Sequence, residues 1–186
     1  MQAQLLYDLN PVDRITVGAI GVPGRRAFFL QARQGRVLVT VVIEKEQVLA
    51  LAAGIDHLLM QLAFRFPQGE IEEILDAEAV QEMDMELEHP IDPLFRVSQM
   101  GLGYDQETDQ LVLLIYELPM EEEPEVIGVV RFWASRAQME ALSQQAKEVI
   151  AAGRPICPLC GQPMDPAGHF CIRSNGDGKI SEITKD

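Results

Sequence analysis

The chain is short of cysteine, of basic residues and of long apolar runs, and each shortage closes off a class of function. Its longest apolar stretches, such as residues 37–43 and 111–116, have strand length. They fall well below the about 20 residues that cross a bilayer, so no membrane partner is expected. Residues 1–6 do not resemble a secretory leader, which points to a reducing, cytoplasmic compartment. Lys and Arg number 15 against 29 Asp and Glu, a net charge of −14. That balance opposes binding to phosphate backbones and anionic surfaces, so no nucleic-acid partner is expected. The catalytic signatures are missing too. There is no Gly-x-Ser-x-Gly elbow, no Gly-rich phosphate loop and no Asp-x-Asp-x-Gly cation loop.

The three cysteines that are present all fall within fifteen residues. Cys157 and Cys160 form a Cys-x₂-Cys pair, His169 and Cys171 form a His-x-Cys pair, and eight residues separate the two. Buried cysteines that merely fill a core are scattered among apolar residues, whereas these sit on Pro- and Gly-rich turns. A disulfide would strand one thiol. Three thiolates and an imidazole instead match a four-coordinate, structural Zn²⁺ site, closed to a catalytic water. Asp165 is a poor substitute for His169, and iron in such a site would normally take four thiolates.

Periodicity divides the rest into two similar halves. Residues 14–20, 26–33 and 36–43 read as strands, and a helix follows over 46–66. Residues 95–104, 110–118 and 126–134 read as strands again, with a helix over 135–152 capped by Ser135. The expected fold is α+β: two βββα units, ordered as a pseudo-repeat, that form an antiparallel sheet with helices on one face. The expected organisation is a core over residues 1–153 with an acidic connector at 70–92. A zinc-ribbon-like module at 154–176 and a polar tail at 177–186 follow.

The connector carries ten acids and no Lys or Arg. Such runs are usually solvated, and the alternation of Met83, Met85 and Leu87 suggests one side of an edge strand. Residues 121–125 form a second acidic loop. Arginines concentrate in the first half at Arg14, Arg25, Arg26, Arg33 and Arg36. Two readings stand. The arginines neutralise the connector, or Arg25 and Arg33, which share one side of an alternating strand, bind an anion beside the turn at residues 21–24. His57 is expected to pack or cap, and His89 has no nucleophile near it in sequence.

Residues 21–33, 44–47 and 157–176, with their FFLQAR run and their Cys-Pro-x-Cys-Gly and Gly-His-x-Cys motifs, resemble an uncharacterised bacterial family best known from actinobacteria, domain of unknown function 3090. Ala27 stands where Thr is common, and Ile172 where Pro is common. The resemblance implies no activity. Genes of that family neighbour a histidine-phosphatase-like protein and a protein resembling phosphatidylinositol kinases, which implies a shared pathway. The combined expectation is a non-enzymatic adaptor or regulator with a kinase-like or histidine-phosphatase-like partner. The alternative is an enzyme or small-ligand binder with an arginine-lined anion site.

Overall fold

The chain opens on a strand that its periodicity does not announce. Seven of the eight residues of β1 (Gln2–Leu9) are exposed, so no buried stripe alternates along it. The computed structural model describes residues 2–68, 78, 80, 83–120, 126–164, 169, 171 and 173. After β1 come β2 (Arg14–Ile20), β3 (Ala27–Gln34), β4 (Val37–Ile43) and α1 (Lys45–Arg65). The same order then returns as β5 (Val97–Asp105), β6 (Gln110–Glu117), β7 (Val126–Ala134) and α2 (Arg136–Ala151). The fold is α+β, with βββα occurring twice.

The strands make two sheets where one was expected. One is the antiparallel meander β2-β3-β4, and the other has the order β1-β7-β6-β5. In the second, β1 runs parallel to β7, a pairing that needs a long crossover and that hairpin signals cannot reveal. Its far end is pinned by the only Trp: Asp8 accepts from Trp133 Nε1 at 2.7 Å and from Arg131 Nε at 2.9 Å. The sheets are stitched at two corners. Val42 N–H donates to the Phe95 carbonyl at 2.9 Å, and Val12 N–H to the Trp133 carbonyl at 2.8 Å.

A single core fills the space between them. Ile15, Val17, Leu30 and Val41 enter from one sheet, and Leu113, Ile115, Val130 and Phe132 from the other. Val48, Leu51 and Ile55 of α1 and Met139 and Leu142 of α2 complete it, at helical spacing. As expected, Ser135 caps α2, its Oγ accepting from Gln138 N–H at 3.2 Å. The helices are also tied by polar contacts: Asp56 on α1 accepts from Ser143 Oγ at 2.6 Å and pairs with Lys147 at 2.7 Å. By length and composition α1 alone, among the described residues, could cross a bilayer. Strict apolar runs hide this because Asp56, His57 and Gln61 interrupt it. Here its apolar stripe faces the shared core, while Leu49, Met60 and Phe64 are exposed.

The end of the acidic connector is not an edge strand. Residues 83–88 have no strand partner and lie as a strap across the outer face of the β2-β3-β4 sheet. That face is polar because alternate residues of each strand point outward. Thr16 Oγ1 donates to the Met85 carbonyl at 2.6 Å, and Gln31 Nε2 donates to both Thr40 Oγ1 and the Glu88 carbonyl at 3.0 Å. Glu88 N–H returns a bond to Gln31 Oε1 at 2.8 Å. Gly18 leaves room for the strap, since a Cβ there would lie 2.5 Å from Leu87 Cγ. Among the described residues, one connector carboxylate acts as counterion to two of the arginines. Glu88 takes Arg14 NH1 at 2.7 Å and Arg33 Nε at 2.7 Å. Most of the remaining connector, the acidic loop at 121–125 and the tail at 177–186 lie outside the described residues.

Asp109 organises the turn between β5 and β6. It is the only non-Gly residue with a positive φ among those described, at 50°. Its carboxylate accepts from Tyr104 Oη at 2.6 Å, Gln68 Nε2 at 2.8 Å and Arg136 Nε at 3.0 Å. Burial pushes the Asp109 carboxyl up, but the bonds from Tyr104, Arg136 and Gln68 outweigh it and hold it below its ordinary value. Asp8 and Asp56 are also held low, chiefly by Arg131 and Lys147 respectively. Depressed carboxyls stabilise the fold fully above their unfolded value of about 3.9, and lose that contribution as pH falls through the folded value. Melting temperatures measured from neutral to strongly acidic pH should therefore drop steeply below about pH 4. Asp109→Asn should flatten that acid limb and lower stability at neutral pH. Asn tolerates the left-handed backbone, so the carboxylate alone is tested. An unchanged acid limb would show that Asp109 contributes nothing through its charge.

Candidate metal centre

The C-terminal segment builds its donors on a tight turn. Gly161 N–H donates to the Cys157 carbonyl at 2.9 Å, and Cys157 N–H to the Gln162 carbonyl at 2.8 Å. Gly161 has φ 73°, a conformation that most side chains resist, which explains glycine directly after the second cysteine. The turn is closed by the antiparallel bridge Ile156–Pro163. It projects Cys157 and Cys160 to the same side, toward His169 and Cys171.

All four predicted ligands come together. Cys157 Sγ is 3.8 Å from Cys171 Sγ, and Cys160 Sγ is 3.2 Å from His169 Nε2. One donor atom from each of the four lies within 4.8 Å of the others. A tetrahedral ion with sulfur at about 2.3 Å and nitrogen at about 2.0 Å sets edges of about 3.8 Å for S···S and about 3.5 Å for S···N. The donor set fits such an ion. Cys157 and Cys171 are buried, and with Met164 they form a small cluster separate from the main core. Met164 is the contributor the sequence did not flag, although an apolar residue inside a Pro- and Gly-rich loop was the signal.

The electrostatics agree. Burial pushes the Cys157 thiol up, yet the backbone N–H groups of Cys160 and Leu159 and the neighbouring thiols bring it below its ordinary value. For Cys160 the Gln162 backbone N–H favours the thiolate, but burial and the sulfurs of Cys157 and Cys171 push the thiol up overall. Three sulfurs this close cannot all ionise without a cation among them. A divalent metal would supply that charge.

The arginines are arranged differently. Arg33 lies at the end of β3 and is engaged by Glu88, whereas the exposed Arg25 precedes the start of that strand. The six steps from Ala27 to Arg33 alone cover about 20 Å of extended chain, so sharing a side of the strand does not bring Arg25 and Arg33 together. Arg26 instead donates to the Val149 carbonyl at 2.6 Å, at the C-terminal end of α2. His57 is exposed and contacts Gln61 at 2.9 Å, and His89 is exposed as well.

Fold and centre together define an α+β protein with a C-terminal Cys₃His cluster suited to a metal ion. The chain belongs to the family described as protein of unknown function (DUF3090), which it matches over residues 7–171. No curated protein and no solved structure matches it.

Proposed function

We propose that the protein is a zinc-binding adaptor or regulator, in which Zn²⁺ is structural and the work is binding rather than catalysis. Cys157, Cys160, His169 and Cys171 hold the ion. The supporting observation is the four-donor cluster itself: within 4.8 Å it offers a complete tetrahedral shell. Three thiolates and one imidazole favour Zn²⁺ over hard cations, and a filled shell has no position for a reacting water. The bound ion would supply cross-linking only. The module then presents a rigid turn, with Ile156 and Leu159 exposed on it, to a protein partner. The gene neighbourhood implied by the family resemblance points to a kinase-like or histidine-phosphatase-like partner, and a site built of reduced thiolates suits a cytoplasmic compartment.

Metal analysis and cobalt substitution test this reading. Purified protein should carry about one zinc per chain, and Cys160→Ser should lose most of it. The Co²⁺ form should show tetrahedral thiolate spectra that do not change on adding azide or cyanide. Spectral shifts with those ions would reveal an open position and remove the structural assignment. Full zinc in Cys160→Ser would remove the ligand assignment.

A further inference from the structure

Among the described residues of this acidic protein, a basic concave surface lies where the C-terminal module meets the core. A cleft of about 430 Å³ opens there. Arg26, Lys45, Arg96 and Arg154 line it, against one carboxylate, Glu44. Four cations less one anion leave a formal excess of three positive charges, in a chain whose net charge is −14. The volume falls within the about 300–1,000 Å³ of small-molecule sites. Its apolar lining comes from Phe28 and Ile43 on the core side and from Ile156 and Pro163 on the module side.

The cations are held in place by other contacts. The Arg26 guanidinium lies 5.0 Å from the centre of the Phe28 ring and bonds the end of α2. Arg154 lies against Gly24, where a Cβ would be 3.4 Å from its Nε. Gly24 has φ 92°, so glycine is needed there for the backbone and also lets Arg154 approach. Arg96 reaches across to Glu44 in an exposed ion pair. The backbone N–H of Glu44 is already used by Gln47 Oε1 at 2.9 Å, so the side chains, not this part of the helix end, are the anion donors. Planar guanidinium groups that converge on one cleft favour phosphate oxygens, which they bind in pairs.

We infer that this cleft binds a small phosphorylated molecule carrying at least two negative charges, with the phosphates between Arg96 and Arg154 and the apolar body against Phe28 and Ile156. The anion site thus uses the turn at residues 21–24 but draws its cations from four separate parts of the chain. It does not depend on the proposed partner. It depends on the metal only through the position of the module wall.

Calorimetric titration of the metal-loaded full chain tests the inference, with inorganic pyrophosphate and adenosine diphosphate as probes. One saturable site is expected, with the diphosphate ester binding more tightly. Arg154→Gln should weaken both at least tenfold, and Arg154→Lys should restore part of the loss. Arg25→Gln, outside the cleft, should leave binding unchanged. Glu44→Gln should tighten binding several-fold, because it removes the competing carboxylate; a merely structural role for Arg96 and Glu44 would not produce that gain. Absence of saturable binding at low salt, or equal loss in Arg25→Gln and Arg154→Gln, overturns the proposal. Zinc content measured on the same samples distinguishes failure of the cleft from failure of the metal assignment.

Discussion

Stripping zinc from the loaded protein should melt residues 154–173 and leave both sheets protected. The reason is the separation of the two apolar clusters. Cys157, Met164 and Cys171 pack with one another, while the main core draws on β-strands and helices that end at Ala151. A cluster of three buried residues stabilises little by itself, so a bound metal would carry the module. In small zinc modules apparent binding free energies reach about 10–16 kcal/mol, and the apo forms are unfolded. Hydrogen exchange before and after chelation provides the measurement. Amides of Cys157, Gly161 and Met164 donate inside the module and should lose protection, while those of β3 and β6 should not. Loss of protection throughout the chain would mean that the module is part of the core's stability.

Glu88→Ala should be among the most damaging substitutions outside the apolar core. Arg14 has a side-chain exposure of 10%, and Glu88 is the carboxylate that meets it. Burial already pushes the Arg14 guanidinium below its ordinary value, with Asp84 opposing. Removing one partner of a buried pair costs about 3–5 kcal/mol, because the other charge stays buried and unpaired. Glu88 is partly exposed, so about 2–3 kcal/mol is expected here. Arg33 is more exposed than Arg14, and Arg33→Ala should cost no more than about 1 kcal/mol. Urea unfolding of the two variants decides. Equal small losses would show that water and neighbouring groups compensate Arg14, and that the strap is held by its bonds to Arg14, Thr16, Gln31 and Gln145 without the Glu88 carboxylate.

The Cys₃His cluster was legible in the sequence because its chemistry is local. Cysteine and histidine at fixed spacings on turns determine what can be bound without knowledge of the fold. The repeated βββα order was legible as well, since β4 and β6 are short runs rich in Val, Ile and Leu and apolar residues recur at helical spacing in α1 and α2. What was hidden depends on distant partners. β1 lacks a buried stripe, and its pairing with β7 is decided far along the chain. The strap looked like a solvated charge run because the polar row of Arg14, Thr16, Gln31 and Thr40 that receives it is assembled from three strands. The basic cleft was invisible for the same reason: Arg26, Lys45, Arg96 and Arg154 are unremarkable until the fold gathers them.

The pairing of the first strand with the last orders events during synthesis. β2, β3 and β4 are contiguous and can pair as soon as they leave the ribosome. β1 cannot, because Val126 lies 117 positions after Leu9. At about 5–20 residues per second, that interval lasts roughly 6–25 seconds. Throughout it the nascent chain displays an unpaired segment containing Leu5, Leu6 and Tyr7, of the kind that holding chaperones engage. β1 therefore waits longer for its partner than any other strand of its sheet.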